Sequence, residues 1–355
     1  MPGPGVRLCQ DFYRQAVAPL LGSVEHGAAL LGEGSEVLGF DDEVSTDHDF
    51  GPRVQIFRPR GADPGPVRAA LDGLPAEFQG YPLHAAGAGG PVDCVQVTTA
   101  EDFFADRLGV DPAGGMGLAD WLLTPAQTFA SLTAGAVLHD PGDRLAARRA
   151  ALAWYPDDVW RYALAAGWLR ISQEHAFVGR AGSRGDDLGA AILTARLARD
   201  LVRLAFLAER RWAPYGKWFD HAFRQLPLAE TLRPHLLRAL AAPAWREKEA
   251  ALCDAATVVG EATNRLALAA PVDPQPRRFY DRDIRIVDAE TFTTSLTSAI
   301  TDPEVRALLG RLGVRSNTGA GMLPGTIDQA ADSTDLLSHL DRRRAMAPAL
   351  GLPTQ

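Results

Sequence analysis

Two short stretches carry residue types from which phosphate and metal chemistry is built: Gly32-Glu33-Gly34-Ser35-Glu36 and, twelve residues beyond Ser35, Asp47-His48-Asp49-Phe50. Glycine lets a backbone N–H approach a phosphate closely, the serine adds a hydroxyl, and a helix starting there would add its dipole. Aspartates at i and i+2 on an extended segment project to one face, so both carboxylates can reach one hard cation, and magnesium suits that geometry. Either motif alone is commonplace, and a solvated turn is the bland reading of each. Together, with an apolar run before the first and a strand pattern after the second, they point to Gly34 and Ser35 holding a magnesium-bound nucleoside triphosphate. Asp47 and Asp49 would hold the metal. The acidic run Asp41-Asp42-Glu43 between the motifs reads as a solvated loop, or as a contact for a second cation or a basic acceptor.

The surrounding pattern supplies elements that could position these groups. Apolar residues at helical spacing from Val6 to Leu21, closed by Gly22, predict an N-terminal helix, and Ala28 to Leu31 is a short apolar run bounded by glycines. Val54-Gln55-Ile56-Phe57 alternates like a half-buried strand. Val92 to Val97 gives a second strand signal, followed by Thr98-Thr99-Ala100-Glu101, which resembles a helix N-cap with an acidic first turn. Gly135 to Gly142, an apolar run closed by a turn, gives a third. Beyond Arg144 the chain is rich in alanine, leucine and arginine at helical spacing, most clearly over Ala190 to Arg211. We therefore expect an α+β fold: a small mixed sheet with helices over residues 1–145, then an all-α helical bundle over 146–355 with a partly irregular tail. Pro271 to Tyr280 reads as a linker or a long surface loop, and Asp328 and the run 332–335 as solvated helix starts or, less expectedly, functional carboxylates.

Composition narrows the function classes. With 44 acidic against 36 basic residues the net charge is -8, which disfavours a protein that coats nucleic acid or an anionic membrane. A polynucleotide substrate would need a basic track, for which Arg144, Arg148, Arg149, Arg161 and Arg170 are the candidates. The first thirty residues include Asp11, Arg14, Glu25 and His26, so neither a signal peptide nor a membrane span is expected, and the location reads as cytoplasmic. Three scattered cysteines, Cys9, Cys94 and Cys253, give neither a disulfide framework nor a zinc site.

At Gly34-Ser35 and Asp47-x-Asp49 the sequence resembles the nucleotidyltransferase superfamily, whose signature is a Gly-Ser turn followed about ten residues on by Asp-x-Asp. The run GEGSEVLGFDDEVSTDHDFGPRV looks like a bacterial group of such proteins with a helical C-terminal domain. The resemblance extends through RAGSRGDDLGAAILTARLARDLVRLAFLAERRWAPYGKWF and GTIDQAADSTDLL. It implies transfer of a nucleoside monophosphate from an NTP, by default ATP, to a hydroxyl of a small molecule or protein, with Mg2+ as cofactor and Asp47 and Asp49 catalytic. Nucleic acid is a less favoured acceptor. The pattern also implies a third carboxylate on a later strand, but aligning Val95 to Thr99 with it puts Gln96 at that position, and an amide cannot take a proton. Asp93 is the nearest substitute, with Glu101 or Asp102 as further candidates. The alternative is a catalytically weak nucleotide-binding or regulatory protein of the same fold. From the helical part, Arg180, Arg184, Tyr215 and Lys217 are the residues placed to bind the nucleotide, because they lie in polar, glycine-containing breaks between helices.

Overall fold

The computed structural model describes residues 3–42, 51–83, 86–87, 90–91, 94–314 and 322–353. The fold is α+β, and the chain forms two compact units: Met1–Asp120 with Ala126–Ala153, and Trp121–Pro125 with Trp154–Gln355.

In the first unit, helix α1 (Pro4–Phe12) opens on a proline, which has no N–H to leave unsatisfied. It continues through a π turn over Tyr13–Val17 into α2 (Ala18–Leu21) and stops at Gly22, whose φ is +52°. The buried side chains Cys9, Phe12, Val17 and Leu21 explain the π turn. The step from Phe12 to Val17 is one residue longer than an α-helix places on one face, and the wider turn takes up the excess.

Strand β1 (Gly27–Leu30) leads through the glycine turn into the single-turn helix α3 (Ser35–Leu38). Then come β2 (Val54–Phe57), α4 (Gly65–Leu71) and two small hairpins, β3 (Glu77–Phe78) with β4 (Tyr81–Pro82) and β5 (Ala86–Gly87) with β6 (Gly90–Pro91). The unit is completed by β7 (Val95–Thr98), α5 (Ala100–Leu108), α6 (Leu118–Leu123), which runs on into the second unit, α7 (Ala126–Thr133), β8 (Ala136–His139) and α8 (Arg144–Ala151). The sheet order is β7-β2-β1-β8, with β1 antiparallel to both neighbours and β7 parallel to β2.

One sheet face, carrying Ala28, Val54 and Ile56, packs against Phe12, Val17, Leu21 and Val67. On the other, Phe57 meets Phe103 of α5 edge-on at 5.3 Å. Strand β2 is thus covered on both faces, where the alternation of its sequence predicted one wet face. The exception in the pattern, Gln55, is buried because its amide is satisfied internally, as shown below.

In the second unit, α9 (Asp157–Gly182) and α10 (Asp187–Ala208) form an antiparallel hairpin, followed by α11 (Phe219–Phe223), α12 (Ala229–Ala241) and α13 (Trp245–Arg265). After a two-strand ribbon, β9 (Arg277–Arg278) with β10 (Arg285–Ile286), come α14 (Ala289–Ser298) and α15 (Pro303–Arg311), then α16 (Ile327–Ala330), α17 (Thr334–Ser338) and α18 (Leu340–Ala345). Trp168 of α9 stacks on Phe292 of α14 at 4.3 Å and donates to Thr263 of α13, so three helices share one buried centre. Gly167 lets α10 close on α9, since a Cβ there would stand 2.6 Å from Leu204. No described helix is long and apolar enough to cross a membrane.

Candidate functional site

The glycine turn is built by two anchors. Antiparallel pairing of Gly27 with Phe57 and Ala29 with Gln55 sets the C-terminal end of β1 beside the N-terminal end of β2. The buried Gln55 amide then accepts from Leu31 N at 2.9 Å and donates to Leu31 O at 3.2 Å, closing the backbone just before Gly32. On the other side of the turn, Gly135 N donates to Val37 O at 2.8 Å. Gly32 and Gly34 have φ of +92° and +134°, values that L side chains rarely adopt.

Two guanidinium groups flank this turn. Arg53, at the entry to β2, donates to the Glu33 carbonyl and pairs with the Glu36 carboxylate at 2.5 Å. A Cβ on Gly34 would fall 2.2 Å from the Arg53 guanidinium and 2.6 Å from the Glu36 carboxylate, so glycine is required there on steric grounds as well. Arg107 comes from α5, with its guanidinium 3.8 Å above the Phe103 ring and 3.6 Å from where a Gly32 Cβ would lie. Burial lowers its pKa, and neighbouring Glu33 works against that shift. Ser35 is half-buried at the first position of α3, a helix of one turn whose dipole is correspondingly small. Cys9 of α1 backs the assembly by accepting from Arg53 N at 3.4 Å, and burial pushes its thiol up to about 11, so it stays protonated. Asp41, from the acidic run, is committed to Gly5 N at the start of α1, 2.6 Å away.

Asp47 and Asp49, expected as catalytic and metal-binding residues, lie outside the described residues, as does Asp93. Among the described residues no cluster of histidine, cysteine, aspartate and glutamate is arranged to hold a metal. Gln96 is exposed on β7, in register with Gln55 and therefore on the same sheet face. Glu101 does not approach the turn. It sits in the first turn of α5, beyond the other end of β7, and pairs with the buried Arg148, which Asp111 also holds at 2.6 Å. A cleft at that end is lined by Glu25, His26, Arg58, Glu101, Asp140 and Arg144. Its charges are occupied: Arg144 meets Glu25, Arg58 donates to Ala62 O, and Asp140 accepts from Leu145 N and Ala146 N at the start of α8.

The four residues expected to reach the nucleotide from the helical part are not brought together. Arg180 lies over the Phe177 ring near the end of α9, and Arg184 donates to Arg180 O. Tyr215 accepts from Trp218 Nε1 at 2.8 Å, with Lys217 over the Trp218 ring, and Phe219 packs on Phe206 near the end of α10. Because Trp160 donates to Leu207 O, that end of α10 lies beside the start of α9. The twenty residues from Trp160 to Arg180 span about 30 Å at 1.5 Å per residue. One nucleotide cannot contact both pairs, because breaks that look alike in the sequence lie at opposite ends of the hairpin.

The arginines considered as a basic track are engaged in the fold. Arg149 donates to Thr133 O and Ala134 O, Arg161 pairs with Asp158 at 2.7 Å, and Arg170 pairs with Asp200 and donates to Gln329 O. The distal aspartates also hold structure: Asp332 takes Arg199 in a two-pronged contact at 2.6 and 2.8 Å, fixing the 325–337 segment to α10. Sequence reading missed Arg53, Glu36, Gln55 and Arg107. The available signals were a lone amide within an apolar strand and a lone arginine immediately before it.

Residues 121–219, less than a third of the chain, match the family described as Domain of unknown function (DUF4037). The matched segment includes Arg180, Arg184, Tyr215 and Lys217 and does not include the glycine turn. No curated protein matches the chain.

Proposed function

We propose that the first unit binds a nucleoside triphosphate, ATP by default, at Gly34 and Ser35, and that the chain is a magnesium-dependent nucleotidyltransferase acting on a hydroxyl of a small molecule or protein. The observation that carries this reading is the junction at one end of the sheet. Arg53, four residues after Asp49 in the chain, bonds the backbone of the Gly32–Ser35 turn, so a guanidinium stands at the turn that would hold the phosphates. Backbone N–H groups, the Ser35 hydroxyl and the flanking guanidinium groups would orient the phosphates. Magnesium held by Asp47 and Asp49 would offset the phosphate charge as it shifts to the leaving pyrophosphate.

Calorimetry with ATP, GTP, CTP and UTP in magnesium, on the wild type and on Asp47→Ala/Asp49→Ala, tests the reading. Magnesium-dependent binding lost in the double variant supports it, and absence of any NTP binding by the wild type rejects it. Gln96 and the commitment of Glu101 to Arg148 favour a second reading, a nucleotide-binding protein with weak or no transfer, because neither supplies a base beside the turn. Pyrophosphate release in the presence of candidate acceptors separates the two.

A further inference from the structure

We propose that Arg53 and Arg107 form a polyphosphate clamp over the glycine turn, which makes the site select ligands by the number of linked phosphates; the assignment rests on the nucleotide reading above. Both guanidinium groups stand against one turn, Arg53 at Gly34 and Arg107 at Gly32, although they arrive from different elements, the start of β2 and the end of α5. Each is held from behind. Arg53 is anchored by Glu36, whose side chain is buried, and Arg107 donates to Phe103 O at 3.0 Å while lying on that residue's ring.

A guanidinium offers five N–H donors in a rigid fork suited to phosphate oxygens. The hydrogen bond and ion pair described for Arg53 both use Nη2, and its buried Nε has no partner among the described residues. Residues 32 and 34 are two apart in one turn, so the two guanidinium forks flank the same short length of backbone. Adjacent phosphates of a di- or triphosphate would be met by one guanidinium each. Glu36 and Glu33 oppose this charge, so the turn has no large positive excess without ligand, and a multiply charged anion gains more than a monophosphate does.

The experiment is titration calorimetry in magnesium with ATP, ADP, AMP and inorganic tripolyphosphate, on the wild type, Arg53→Lys, Arg107→Gln and Glu36→Gln. The clamp requires Arg53→Lys and Arg107→Gln each to weaken ATP and tripolyphosphate by about 10- to 100-fold and AMP by much less, since a charged hydrogen-bond pair to phosphate is lost only with the longer ligands. Glu36→Gln keeps an acceptor for Arg53 and removes an opposing charge, so it should tighten ATP about threefold or more. Equal losses for ATP and AMP, or weakening by Glu36→Gln to match Arg53→Lys, would show a structural strut and overturn the clamp. If Arg53→Lys does not fold, Arg107→Gln decides alone. Wild-type ATP binding unaffected by either arginine change would remove the clamp and leave the nucleotide reading intact. Arginine-dependent binding of tripolyphosphate without binding of any NTP would do the reverse, and no binding of either ligand would remove both.

Discussion

Replacing Gln55 with leucine isolates what holds the glycine turn in place. The side chains are close in volume, so little cavity forms, but Leu31 N and Leu31 O lose their partners at 2.9 and 3.2 Å inside a region closed to water. Each orphaned backbone group costs about 1–3 kcal/mol. At about 1.5–2 kcal/mol for each of the two groups, and with roughly 1 kcal/mol returned by burial of the added apolar surface, the net loss is about 2–3 kcal/mol. Hydrogen exchange followed by mass spectrometry on a peptide covering residues 27–38 reads this directly, because an opening easier by that amount exchanges roughly 30- to 150-fold faster. All seven tryptophans belong to the second unit, so tryptophan fluorescence in urea monitors that unit separately and should change little. Exchange at residues 27–38 within threefold of wild type would refute the argument that Gln55 fixes the turn, and with it the reason β2 tolerates a buried amide.

Other expected outcomes follow from the same contacts. Gly34→Ala places a methyl group 2.2 Å from the Arg53 guanidinium at a φ of +134°, so it should cost about 1–3 kcal/mol and abolish NTP binding, checked by thermal melts and calorimetry. Asp158 is pulled two ways. Burial raises its pKa, but the N–H groups of Asp302 and Thr301 and the Arg161 guanidinium hold it below the ordinary aspartate value. Its contribution is therefore present above about pH 4 and lost as acid protonates it, and Asp158→Asn should lower second-unit stability by about 2 kcal/mol at pH 7 while flattening the acid limb of a fluorescence titration. His175 is fully buried, and that burial lowers its pKa to about 4. The unfolded chain binds the proton first, so second-unit stability falls as pH drops from about 6.5 to 4, by roughly 3 kcal/mol, and His175→Leu should remove this slope.

What the sequence made legible tracks how local the cause is. The N-terminal helix, the strand at Val54–Phe57 and the Thr99 cap, whose hydroxyl accepts from Asp102 N at 3.1 Å, are fixed by spacing and by neighbours in the chain. The glycine turn was visible because positive φ demands a residue type. Its anchors were not: Gln55 reaches Leu31 across 24 positions and Arg148 reaches Asp111 across 37, pairings created by the sheet and helices after they assemble. The four residues expected at the nucleotide are not brought together for the same reason. Glycine-containing breaks beside arginine or lysine are frequent at the ends of any long hairpin, and the pattern carries no signal for which end faces what.

In the proposed reading, the placement of these residues moves the phosphate contacts to the first unit. With Arg180 and Arg184 at one end of the α9–α10 hairpin and Tyr215 and Lys217 at the other, the helical unit cannot supply a four-residue cradle, whereas the first unit carries two guanidinium groups at its own turn. Arg53 and Arg107, on the strand and helix that frame the glycine turn, are positioned by packing, since Phe103 holds Arg107 and Glu36 holds Arg53. In the proposed reading, affinity for phosphate would depend on groups already in place at the glycine turn, and transfer would need a base that Gln96, an amide, does not provide.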